Sequence, residues 1–129
     1  MRILLDTQSW LWILAEPERF RPASRSLLAE RRNQLLLSVA SLWEIAIKVG
    51  LGKLTLPGRP VTYLPPLLER SGVALLPVQA EHALYVADLP SHHRDPFDRL
   101  LVAVALVERL PILSADRTFE AYPVEVLEA

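Results

Sequence analysis

The chain contains five short runs, "RILLD", "QLLLS", "VALLPV", "PILS" and "VEVL", separated by longer stretches of helical pattern. A strand with one face in water alternates apolar and polar side chains. The first four runs are instead apolar at consecutive positions, which requires cover on both faces. Buried strands of this kind, alternating with helices, build a parallel sheet between helical layers. The expected fold is α/β: a three-layer sandwich with a central parallel sheet of about five strands flanked by helices. With 129 residues, the chain fits one domain over 1–129.

The intervening helices have recognisable ends. Ser9 to Glu16 stop at Pro17, "PASRSLLAERR" carries Pro22 in its first turn, and "SLWEIAIKVG" is closed by the glycines of "VGLGKL". Tyr63 to Arg70 and "QAEHALYVADL" continue the pattern, and "PFDRLLVAVALVERL" is the strongest helix, with Pro96 fitting its first position. "LTLPGRP" and "PSHHRDP" read as loops, and "ADRTFEAY" as a short turn or helix.

Parallel sheets bind ligands beyond the carboxyl ends of their strands. Asp6 ends the first run there, and Asp116 follows "PILSA". Glu44 lies in the second turn of the helix after "QLLLS", and Asp98 just inside the helix that follows "DP". Each has an ordinary alternative. Asp6 and Asp116 are also suited to capping the turns that follow them, and Asp98, three residues after Asp95, suits a helix amino terminus.

Glu44 is harder to explain locally. From Asn33 to Gly52, Glu44 and Lys48 are the only charged side chains. At 100° per residue, Leu42, Ile45, Ala46 and Val49 share one face, and Glu44 and Lys48 lie opposite, flanked by Ile47 and Leu51. An exposed pair four residues apart contributes only about 0.2–0.5 kcal/mol, whereas burying an unpaired carboxylate costs several kcal/mol. A bound cation resolves that conflict. Four converging carboxylates raise one another's pKa unless positive charge lies between them. Magnesium or manganese accepts a few carboxylate oxygens and retains open positions that admit a phosphate. The pattern therefore points to metal-assisted attack of water on a phosphodiester.

Lys48, Arg94, Arg99 and Arg117 stand near these acids and are candidates for gripping flanking phosphates. The alternative is that Arg99 pairs with Asp95 and that Arg94 and Arg117 are simply solvated. Ser114 is placed to orient Asp116, to touch a metal-bound water, or, as is commoner for a buried strand-end serine, to bond to backbone. His92 and His93 lie side by side in a loop and do not form a tetrahedral zinc set, so positioning a phosphate or the loop is the expected role. Trp10, Trp12 and Trp43 are expected in the core or on a partner surface.

Composition narrows the classes further. The absence of cysteine excludes disulfides, thiolate zinc sites and cysteine nucleophiles, and suits a reducing cytoplasm. A formal net charge of −1 gives no general pull toward nucleic acid, so a polyanion requires a local cluster or a cation. No uncharged run is long enough to cross a bilayer. "WLWILA" lies between Asp6 and Glu16 without a small-residue cleavage site, so no signal peptide is expected.

The segments "ILLDT", "SVASLWEIAIKVGLGKL", "LPSHHRDPFDRLLVAVAL" and "LPILSADRTFEAY" together resemble the PIN-domain ribonucleases, specifically VapC-type toxins of toxin-antitoxin pairs. The resemblance implies that Asp6, Glu44, Asp98 and Asp116 hold magnesium or manganese, with Ser114 at the accompanying hydroxyl position. Asp98 is preferred to Asp95 because "RLLVAVA" follows it, leaving Asp95 as the helix cap. The resemblance also implies cytoplasmic endoribonuclease activity on RNA, a homodimer, and a cognate antitoxin partner, with no membrane association. Two other readings compete: a magnesium-dependent phosphatase with Asp6 as nucleophile, and a non-catalytic interaction module. For the phosphatase, "DTQ" lacks the second acid expected two residues after Asp6.

Overall fold

The computed structural model describes all 129 residues. Its strands are β1 (Arg2–Leu5), β2 (Gln34–Ser38), β3 (Val73–Leu76), β4 (Ile112–Ser114) and β5 (Val126–Glu128). They form one sheet in the order β3-β2-β1-β4-β5, and every neighbouring pair is parallel. The register pairs Leu4 with Leu36 on one side and Ile112 on the other, which makes β1 the central strand.

Six α-helices accompany the sheet: α1 (Thr7–Ala15), α2 (Pro22–Ala29), α3 (Val39–Gly50), α4 (Pro60–Arg70), α5 (Ala80–Tyr85) and α6 (Pro96–Glu108). Successive side chains of a strand point to opposite faces, and the two cores follow that rule. Ile3, Leu5, Leu35, Leu37 and Leu113 pack with Trp10 of α1, Ile45 of α3, and Leu64 and Leu68 of α4. Leu4, Leu36 and Ile112 face the other way, onto Leu101 to Ala105 of α6 and Phe119. Each fully buried aliphatic side chain contributes about 1.5–3 kcal/mol. The three-layer expectation therefore holds at β1, β2 and β4. The outer strands depart from it: β3 and β5 have half-exposed or exposed residues because each has a partner on one side only.

α4 begins at Pro60, earlier than the sequence pattern placed it, because proline suits a first helical turn. Pro65 and Pro66 lie within this helix on its exposed side, where the carbonyls they leave without an N–H donor are open to solvent. α6 ends at Arg109 in the left-handed conformation, which turns the chain into β4.

The strand order determines where a ligand cleft can open. From β1 the chain moves outward through β2 to β3, then returns through α5 and α6 to β4, on the opposite side of β1. The connections leaving β1 and β4 therefore diverge, and a crevice forms at the carboxyl ends of these strands. Asp6 follows β1 directly, and Asp116 follows β4 by two residues.

Candidate active site

A cleft of about 310 Å³ lies at that edge, lined by Asp6, Glu44, Asp95, Asp98 and Asp116 with Lys48 and Lys53. The four acids expected from the sequence come from four separate parts of the chain and meet in it.

Asp6 is only 7% exposed. It caps α1, its Oδ1 accepting the Ser9 N–H at 2.8 Å, and its Oδ2 accepts the Ser114 hydroxyl. The Ser114 Oγ also accepts the Asp116 N–H at 2.9 Å. One buried hydroxyl thus ties the end of β1 to the turn after β4. Burial raises the Asp6 pKa above its ordinary value, the Ser114 and Ser9 hydrogen bonds oppose the rise, and the charge of Asp116 adds to it.

Glu44 is 6% exposed, on a helix whose start is capped by the Ser38 hydroxyl. Its Oε1 accepts the Thr7 hydroxyl at 2.6 Å, and its Oε2 lies 2.7 Å from Lys48 Nζ. The hydrogen bond to Glu44 raises the Lys48 pKa against the opposing effect of burial. Lys48 therefore faces the groove rather than only the solvent: the one-turn spacing brings its ammonium onto the Glu44 carboxylate inside the cleft.

Asp95 caps α6 through a 2.8 Å bond from the Phe97 N–H, which leaves Asp98 in the first turn facing the other acids. Burial and then the negative charge of Asp95 push the Asp98 pKa up to about 6, with Glu44 and Asp116 adding and His93 opposing. Asp116 is more exposed, with 43% of its side chain accessible. Its Oδ1 accepts the Thr118 N–H at 2.9 Å, and its Oδ2 lies 3.2 Å from His93 Nε2. Burial acts to raise its pKa, but the Thr118 bonds and His93 outweigh it and hold the carboxyl below its ordinary value.

Five carboxylates against two ammonium groups leave a strongly negative cleft. Burial is the first cause of the raised pKa values of Asp6 and Asp98, and the neighbouring acids add to it. An oxygen-seeking divalent cation fits this donor set. One ligand-capable atom each from His93, Asp98 and Asp116 lies within 4.8 Å of the others.

A profile of the PIN domain matches residues 3–125. The chain belongs to the PIN domain family. It is 40% identical over 62 residues to Ribonuclease VapC16 of Mycobacterium tuberculosis, an alignment covering 48% of this chain. The match spans 44% of that protein, less than half the length of this curated relative. Among solved structures, VapBC2 from Rickettsia felis bound to a promoter DNA fragment superposes with a TM-score of 0.74 at 18% identity, covering 99% of this chain and 98% of that one. VapC20 from Mycobacterium tuberculosis, a toxin that cleaves the sarcin-ricin loop, gives a TM-score of 0.67 at 16% identity over 98% of this chain and 99% of that one. At these identities the likeness is one of fold.

The basic residues of this PIN domain divide. Lys48 lines the cleft, while Arg94 and Arg117 are exposed outside its lining. Arg99 neither pairs with Asp95 nor lines the cleft. Its guanidinium donates to the Pro90 carbonyl at 2.9 Å and the Val86 carbonyl at 3.1 Å, pinning the loop before α6. Sequence reasoning missed Thr7, Lys53 and the central position of His93. The signals available were a hydroxyl directly after the strand-end acid and a lysine at the close of the glycine turn. Trp10 is fully buried, Trp12 is partly buried against Phe20, and Trp43 stands exposed beside Phe97. No helix is long and apolar enough to cross a membrane.

Proposed function

We propose that residues 1–129 act as one PIN unit, a metal-dependent endoribonuclease that hydrolyses RNA phosphodiester bonds as the toxin half of a toxin-antitoxin pair. The observation that carries this reading is the convergence of Asp6, Glu44, Asp98 and Asp116 on one cleft at the β1 and β4 ends. These four acids would hold Mg²⁺ or Mn²⁺, with Ser114 fixing Asp6. A cation of this class supplies Lewis acidity, lowering the pKa of water and neutralising charge on the phosphate.

The chain's own groups have separable roles. Thr7 and Lys48 keep the Glu44 carboxylate oriented. Lys53, on the cleft wall, faces an entering phosphate. Burial and the neighbouring acids raise the Asp98 pKa to about 6, so below that pH a proton there competes with a cation. The likeness to VapC16, a ribonuclease, and to VapC20, a sarcin-ricin-loop-cleaving toxin, supports RNA as substrate here. VapBC complexes among the structural neighbours support a cognate antitoxin as partner. A homodimer and a cytoplasmic location complete the proposal. The phosphatase alternative gains nothing from the site. Gln8 occupies the position two residues after Asp6, and both Asp6 oxygens are held by donors.

The test is purified protein, free of any partner, incubated with total cellular RNA, with EDTA and with Mg²⁺ or Mn²⁺. Cleavage is expected only with metal and is lost in Asp98→Asn. Metal-independent cleavage, or full activity in Asp98→Asn, overturns the proposal.

A further inference from the structure

We propose that His93 is a positioning residue for Asp116, held by Tyr122 in the tautomer that carries its proton on Nε2. The proposal rests on the metal-nuclease reading of the cleft and assigns a task to two side chains outside its four acids.

Asp6 and Glu44 are immobilised by burial, at 7% and 6% exposure. Asp116 has no such support, with 43% of its side chain accessible, on a turn that follows a three-residue strand. Its orientation depends on hydrogen bonds. Thr118 N–H holds Oδ1, and His93 Nε2 stands 3.2 Å from Oδ2.

The tautomer follows from counting protons. Tyr122 is buried, and its hydroxyl oxygen accepts the backbone N–H of His93 at 3.1 Å. The hydroxyl has one proton of its own to donate, and His93 Nδ1 lies 3.1 Å away. A neutral imidazole has one donor and one acceptor nitrogen. The ionised Asp116 carboxylate can only accept, so Nε2 of the neutral ring carries the hydrogen and donates it to Oδ2, which leaves Nδ1 to accept from Tyr122. The same Nε2 is 4.0 Å from Asp98 Oδ2. The ring cannot easily turn away. Its side chain is 7% exposed, with Phe119 at 4.8 Å and Tyr122 nearly parallel at 5.5 Å between centroids. Asp116 Oδ2 then has one donor and keeps a lone pair for a cation.

Partners that orient metal-binding carboxylates typically change metal affinity by about 10- to 100-fold when removed. The experiment combines ¹⁵N NMR of the His93 ring in metal-free protein, above the usual imidazole titration range, with Mn²⁺ calorimetry on folded variants. The wild type is expected to show a protonated Nε2 and an unprotonated Nδ1. His93→Leu should weaken Mn²⁺ binding by about 10- to 100-fold. His93→Gln, whose amide nitrogen reaches the place of Nε2, should restore most of it, and Tyr122→Phe should give mixed ring tautomers. A purely structural tether would lower the thermal stability of both His93 variants without separating their affinities. A protonated Nδ1 in the wild type, or equal Mn²⁺ affinity in wild type and His93→Leu, overturns the proposal. Failure of the wild type to bind Mn²⁺ instead overturns the metal-nuclease reading on which it rests.

Discussion

Asp98→Asn should make the metal-free protein more stable at neutral pH, although it removes a residue from the proposed centre. Burial, Asp95, Glu44 and Asp116 lift the Asp98 pKa from 3.8 to about 6 against the opposing effect of His93. At about 1.36 kcal/mol per pH unit, the charged form is disfavoured by about 3 kcal/mol in the folded state. The side chain is 31% exposed, and solvent screening leaves about 1–2 kcal/mol of this. The folded chain keeps the Asp98 proton up to about pH 6, whereas the unfolded chain releases it near 3.8. Between those values the folded state binds the additional proton. Its stabilising contribution is therefore present at low pH and is lost as pH rises toward 6. Thermal melts in EDTA, followed by circular dichroism across this range, should show wild type and Asp98→Asn converging near the acid end. At neutral pH the variant should melt higher by about 3–8 °C. A variant that melts lower at neutral pH, or a gap that does not change with pH, refutes the reasoning.

Three further variants probe the supporting contacts. Ser114→Ala removes the hydroxyl shared by Asp6 and the Asp116 N–H, and metal affinity measured by calorimetry should fall by about 10- to 100-fold. Thr7→Val deletes one of the two partners of Glu44; cleavage should fall about tenfold with the circular dichroism spectrum unchanged, and unchanged cleavage would remove Thr7 from the account. Arg99→Ala frees the carbonyls of Val86 and Pro90. It should cost about 1–2 kcal/mol in urea denaturation, and a loss confined to RNA affinity would return Arg99 to a phosphate-binding role.

The parts of the fold set by local chemistry were legible in the sequence. The consecutive apolar residues of β1, β2 and β4 required burial on both faces, and the cores provide it. Asp6 and Asp116 were found because strand ends and caps have short-range signatures, and each does cap the turn that follows it. The capping and clustering readings are therefore compatible, since the same carboxylate uses one oxygen for its turn and presents the rest to the cleft. Contacts made across the fold were not legible. Thr7 meets Glu44 across 37 residues, and His93 meets Tyr122 across 29, so no local spacing announces either pair. The partners of Arg99 were not legible for a related reason. Its charge suggested an anion, but the loop before α6 folds back and offers carbonyl oxygens to its guanidinium instead. The exposed positions of β3 and β5 depend on strand order, which the apolar runs do not encode.

The central claim is that the acid cleft directs water onto an RNA phosphodiester. Cleavage of a short RNA in ¹⁸O-labelled water, with mass analysis of the new ends, tests it most directly. The expected result is one ¹⁸O in the phosphate at the cut, no 2′,3′-cyclic phosphate, and no product in Asp116→Asn. Unlabelled cyclic phosphate, or labelled product formed equally by Asp116→Asn, contradicts the account.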